Sequence, residues 1–126
     1  NWDDKEEVDN IYKRIGKESS ELISNIIDPF IKSDLGKKIF SSSSYLCEHP
    51  FCVLDDGKII SGRVDRINIY DDSVWVIDYK TGLNQDDLAG YMAQINCYAS
   101  FAKKAFKGKK IQASIIDVLE CKEYKG

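Results

Sequence analysis

Apolar and polar residues change period several times along the chain. From Asn1 to Asp28 the apolar positions Val8, Ile11, Ile15, Leu22, Ile23, Ile26 and Ile27 recur at helical spacing, with Gly16 as a break. Pro29 interrupts that pattern, and Phe30, Ile31, Leu35 and Ile39 predict a short second helix from Phe30 to Phe40. Ser41-Ser42-Ser43-Ser44 reads as a loop or the approach to a strand. Three strands follow: Tyr45 to Leu54, Lys58 to Tyr70 and Ser73 to Lys80. Pro50 cannot donate to a ladder, which places the first at an edge. The third is almost wholly apolar before Asp78, which places it centrally. After the turn Thr81-Gly82-Leu83-Asn84, Asn84 or Asp86 can cap a helix running to about Phe106, with Leu88, Tyr91, Ile95, Ala99, Ala102 and Phe106 as its apolar stripe. Gly108 ends it, and Ile111 to Leu119 is the last strand. The expected fold is α/β, an α+β sandwich in the order α-β-β-β-α-β. Residues 1–126 form one domain without an internal repeat or linker.

Two turns fix the register. Asp56-Gly57 suits a type I′ hairpin, which needs positive φ at both central residues. Asp55 then faces Lys58, and Glu48 faces Asp65. A second two-residue loop at Asp71-Asp72 sets Tyr70 against Ser73 and Asp65 against Asp78. Directly opposed residues have Cβ atoms roughly 4.5–5.5 Å apart. Glu48, Asp65 and Asp78 therefore lie side by side on three strands. Lys80, two residues beyond Asp78, shares its face with Ile67, Ile69, Val74 and Val76. Like charges gather in this way around something positive, so the pattern reads as a metal-dependent active site at one end of an apolar sheet. The plain alternative is a set of strand-end acids in surface ion pairs with Arg63, Arg66 and Lys80.

The 126 residues, a net charge of −3 and 43% hydrophobic content describe an ordinary domain with one core. No apolar run is long enough to span a bilayer, and the N-terminus has no signal-peptide pattern. Cys47, Cys52, Cys97 and Cys121 contain no Cys-x-x-Cys pair, which argues against a zinc ribbon or an iron–sulfur cluster. They read as free thiols of a reducing, cytoplasmic compartment, with two disulfides as the alternative. Lys103, Lys104, Lys107, Lys109 and Lys110 read as a solvated helix end rather than a phosphate-contact patch. The missing initiator methionine suggests a fragment of a longer protein, and the chain carries no ATP-binding motif.

Gly62-Arg63-Val64-Asp65-Arg66, then Val76-Ile77-Asp78-Tyr79-Lys80-Thr81-Gly82, then Gln94 followed by Tyr98, resemble the PD-(D/E)xK nuclease superfamily. More narrowly they resemble the C-terminal nuclease domain of RecB- and AddA-type helicase–nucleases. Cys47-Glu48-His49-Pro50-Phe51 is similar to the acidic strand preceding the motif there. The resemblance spans Tyr45 to Phe106 and implies a restriction-endonuclease-like core with a mixed sheet flanked by helices. It implies metal-dependent hydrolysis of DNA phosphodiester bonds, of exonuclease type, in repair and recombination. The partners it implies are DNA, a helicase domain in the same chain and a partner helicase–nuclease subunit, with no membrane.

By the same resemblance Asp65 and Asp78 are metal ligands, joined by the main-chain carbonyl of Tyr79, and Glu48 is a further acid acting directly or through water. Lys80 positions or activates the attacking water. Gln94 and Tyr98, four apart on one helix, support the site or touch DNA; simple helix packing is the alternative. Hard oxygen ligands suit Mg2+ or Mn2+, and one or two ions both fit. The family's usual histidine, in a helix before the strands, has no counterpart, since the only histidine is His49. A non-catalytic nucleic-acid-binding or scaffold module of the same fold is therefore the second expectation. A calcium-binding α/β domain is the third, disfavoured because Lys80 stands beside the acids.

Overall fold

The computed structural model describes residues 27–126. The helical pattern expected over most of residues 1–28 lies outside them. Residues 27–32 are helical, so Pro29 sits within a helical segment and does not end one. The chain breaks at Ser33, whose hydroxyl accepts the Gly36 N–H at 3.0 Å and caps helix α1 (Asp34–Phe40). Strands β1 (Tyr45–Asp55), β2 (Lys58–Ile69) and β3 (Ser73–Lys80) follow, then a 3₁₀ turn (Gln85–Asp87), helix α2 (Leu88–Ala105) and strands β4 (Lys110–Asp117) and β5 (Lys122–Lys125). The Asn84 side chain caps the 3₁₀ turn through the Asp86 N–H at 3.0 Å.

The sheet runs β1-β2-β3-β4-β5, so β1 is an edge and β3 is central, as Pro50 and the apolar run predict. It is mixed: β1, β2 and β3 are antiparallel, β3 and β4 parallel, β4 and β5 antiparallel. The crossover from β3 to β4 carries α2, as a parallel pair requires. Both turns close as expected. Asp56 and Gly57 have φ of 48° and 75°, and Asp55 pairs with Lys58. Tyr70 N–H donates to the Ser73 carbonyl at 2.8 Å, and Ile69 pairs with Val74. Strand β5 was not expected; Lys-Glu-Tyr-Lys is short and charged and shows no buried face by pattern.

Two apolar layers cover the sheet. On one face Ile27, Phe30, Ile39 and Phe40 pack against Trp75, Ile77, Tyr79, Ile116 and Val118. On the other, Ile95, Tyr98 and Ala102 of α2 pack against Ile67, Val74, Val76, Ala113 and Ile115. Each buried Ile or Val contributes roughly 1.5–3 kcal/mol relative to exposure.

The pleat reverses at one level. Arg66 and Asn68 face the α1 layer, donating to the Ile39 carbonyl at 3.3 and 2.8 Å, and the Tyr45 ring lies 4.1 Å from the Arg66 guanidinium. Two residues along each strand the faces exchange. Val64 joins the α2 layer, and the His49 and Phe51 rings lie 6.0 and 5.6 Å from Phe101 of α2. Between these points Glu48 has φ of 49°, in the left-handed region. Cys47 pairs with Arg66 and His49 with Val64, so Glu48 and Asp65 stand at one level with the register unbroken. A bulge in one strand alone would shift the register; here both strands bend together and the alternation inverts.

Candidate active site at the end of the central strand

Asp78 and Lys80 extend from the same face of β3, and Lys80 Nζ lies 3.0 Å from Asp78 Oδ2. Asp78 is 2% exposed and Asp65 is 9% exposed. Neither is a surface acid, so the solvated ion-pair alternative does not describe them. Regular pairing of β2 with β3 runs from Ile69↔Val74 to Arg66↔Ile77 and stops one step before Asp65 would meet Asp78. There the Asp65 carboxylate takes the place of a main-chain partner: Oδ2 accepts the Tyr79 N–H at 2.8 Å. The second predicted acid is thus anchored on the residue between Asp78 and Lys80.

Glu48 is half-buried at the level where the pleat inverts. Its carbonyl accepts from Arg63 Nη1 at 3.1 Å. Among the described residues no group of three or more His, Cys, Asp or Glu side chains stands close enough to hold a metal ion. Three carboxylates therefore do not converge as strict alternation predicts. At Glu48 the left-handed backbone inverts the pleat, so alternation does not fix where that side chain points. What remains is a pair of buried acids on adjacent strands beside an ammonium.

Gln94 and Tyr98 do not border the Lys80 cleft. Tyr98 is 4% exposed and packs edge-on against Phe51, ring centroids 4.7 Å apart. Both residues line a separate, largely apolar hollow of about 290 Å³ with Phe51, Ile60, Gly62 and Cys97. Tyr98 thus packs α2 onto the sheet. The helix residue that does reach the acids' neighbour is Tyr91, whose ring centroid lies 4.6 Å from Lys80 Nζ. Tyr91 lies on the expected apolar stripe, which gave it a packing role and hid this contact.

Lys80 and Tyr91 open on a polar cleft of about 290 Å³ completed by Tyr79, Thr81, Gly82 and Leu83. Its loop is held by Asp117, a 1% exposed residue that pairs with Lys80 across the β3/β4 ladder. Asp117 Oδ1 accepts from Gly82 N–H at 3.1 Å, Leu119 N–H at 3.0 Å and Glu120 N–H at 3.2 Å, while Oδ2 accepts from Leu83 N–H at 2.8 Å. An acid closing an apolar strand was the only sequence signal for it.

Of the basic run, Lys103 and Lys104 occupy the last turn of α2, and Lys109 Nζ donates to the Tyr70 carbonyl at 2.6 Å. Cys47, Cys52, Cys97 and Cys121 are all free thiols. No described helix is long and apolar enough to cross a membrane.

Among known proteins, the chain is 30% identical over 104 residues to an ATP-dependent helicase/nuclease subunit of Streptococcus suis (strain 98HAH33). The match covers 75% of this chain and spans about 8% of the length of that relative. Among solved structures it is similar to the crystal structure of SSO0001, with a TM-score of 0.44 and 19% identity, over 83% of this chain and 48% of that one. The profile of one family matches residues 5–125, nearly the whole sequence. The chain belongs to the PD-(D/E)XK nuclease superfamily.

Proposed function

We propose that this domain hydrolyses DNA phosphodiester bonds with a divalent cation, Mg2+ or Mn2+, as an exonuclease-type module of a helicase–nuclease in repair and recombination. The observation that carries the reading is one buried acid paired with a lysine and a second anchored between them: Asp78 with Lys80 at 3.0 Å, and Asp65 bonded to the Tyr79 N–H. Buried carboxylates gathered in this way favour a cation, and hard oxygen donors favour a hard one. Mg2+ takes one or two carboxylates and keeps several waters, so two acids and the Tyr79 carbonyl fit it without a third acidic side chain. Such an ion lowers the pKa of a bound water and offsets charge on the phosphate. Lys80 supplies a fixed positive charge for the phosphate or the attacking water. Glu48 would act through water. Gln94 would touch the DNA backbone from the exposed side of α2, with Tyr98 holding the helix to the sheet. Similarity to a helicase/nuclease subunit supports placing the motor in the same polypeptide and a partner subunit beside it.

The test is incubation of the full-length protein with single- and double-stranded DNA, with and without Mg2+. Cleavage should require the ion and vanish in Asp78→Ala and Lys80→Ala variants that retain the fold. Wild-type-like cutting by both variants would refute the site assignment. A second reading, a non-catalytic nucleic-acid-binding or scaffold module, draws on the absence of a three-ligand group among the described residues. DNA binding without cleavage by the unsubstituted protein would favour it.

A further inference from the structure

We infer that Asp117 is a positioning residue for the reaction, clamping the wall of the Lys80 cleft; the inference rests on the nuclease reading above. Lys80 is the last residue of β3, and everything beyond it must be held by something other than a ladder. The main chain of Lys80 is fixed by Val118 N–H, which donates to its carbonyl at 2.8 Å. Two N–H groups of the loop beyond it, those of Gly82 and Leu83, both donate to Asp117. The same carboxylate holds Leu119 and Glu120 on the far side. One buried side chain therefore ties the loop after Lys80 to the loop after β4.

A carboxylate is suited to this task. An ionised carboxylate only accepts, so four main-chain donors, three at Oδ1 and one at Oδ2, converge on it without meeting a competing donor. An amide at the same place would present an NH2 group to one of those donors. Such a residue matters for reaction rate because a cationic side chain must be held at the phosphate to within a fraction of an ångström. The clamp also consumes the Gly82 and Leu83 N–H groups. Those donors are then closed to substrate, which leaves Lys80 as the charged group facing the cleft. Gly82 has φ of 65°, so the loop path that Asp117 holds is one that other residues adopt only with strain.

The experiment is a double-mutant cycle on the full-length protein with Asp117→Asn, Gly82→Ala and both together, reading kcat and KM for DNA cleavage alongside thermal melting. Asp117→Asn is near-isosteric and disturbs the carboxylate, while Gly82→Ala disturbs the same loop without touching it. Each should lower kcat at least tenfold while KM stays within threefold. The double variant should lose no more than the worse single variant, because both act on one loop. Multiplicative losses, or wild-type kcat in a folded Asp117→Asn protein, would overturn the inference. Should Asp117→Asn fail to fold, an unchanged kcat in Gly82→Ala overturns it equally. Absence of cleavage by the unsubstituted protein would instead overturn the nuclease reading and this inference with it.

Discussion

Asp65 bonds the main-chain N–H of Tyr79, not that of Asp78, the residue its register would set opposite. One carboxylate thereby serves as a strand partner to the residue between Asp78 and Lys80. This structural role and the proposed part in cleavage separate by substitution. Asp65→Asn keeps an oxygen acceptor for Tyr79 but removes the charge, so cleavage should vanish while stability falls by less than about 1 kcal/mol. Asp65→Ala leaves a buried N–H unpaired, which costs about 1–3 kcal/mol more. Urea unfolding alongside a nuclease assay distinguishes them; equal destabilisation by both variants would contradict the structural half of the role.

Lys80 neutralises a carboxylate that is almost wholly buried. Lys80→Met should therefore be destabilising as well as inactivating, by roughly 2–3 kcal/mol. That is less than the ~3–5 kcal/mol for breaking a fully buried pair, since Lys80 keeps some solvent contact. Asp78→Asn in the Lys80→Met background should recover most of that stability and none of the activity. If the single variant melts like wild type, the pair is not the coupled unit inferred from its geometry.

Glu48 holds a left-handed backbone conformation that costs a side-chain-bearing residue about 1–2 kcal/mol. Glu48→Gly should raise unfolding stability by roughly 0.5–1 kcal/mol after glycine's own entropy cost. Glu48→Ala retains the strain and should not. Cleavage should drop in both variants if the carboxylate serves the cation through water. Unchanged cleavage in the more stable glycine variant would leave Glu48 with a backbone role only.

Gly62 faces the Phe51 ring, and a Cβ there would lie 3.0 Å from Cε1 and 3.3 Å from Cζ. The glycine of the motif thus has a packing cause independent of chemistry. Gly62→Ala should displace Phe51 from Tyr98 and cost about 1–2 kcal/mol by overpacking. Phe51→Leu in the same chain should restore part of the loss. Measured additivity of the two substitutions would argue against direct contact.

The edge place of β1, the central place of β3 and both turn registers were legible in the sequence, because each depended on local signals that agree; the parallel pairing of β4 with β3 and the strand β5 were not. Asp56-Gly57 and Asp71-Asp72 set the pairing of the strands, and an apolar Val74 to Ile77 could only be an interior strand. The joint bend at Glu48 and Asp65 was not legible. It leaves every pairing unchanged, so register alone does not reveal it, and alternation carried past it puts His49, Phe51 and Val64 on the wrong face. Asp117 was missed for a different reason. Its partners are main-chain N–H groups from two separate loops, and these leave no trace in side-chain pattern. Gln94 and Tyr98 were correctly paired on one helix, yet the contact with Lys80 comes from Tyr91, one turn earlier.

The place where β2 parts from β3 also divides the sheet mechanically. Beyond Arg66 the distal halves of β1 and β2 form a two-stranded lever, ending in the exposed Leu54 and Ile59. Its tie to the rest of the domain is the packing of Phe51 on Tyr98 and Phe101 of α2, so a deflection of the tip loads that aromatic contact together with the Asp65 bond to Tyr79.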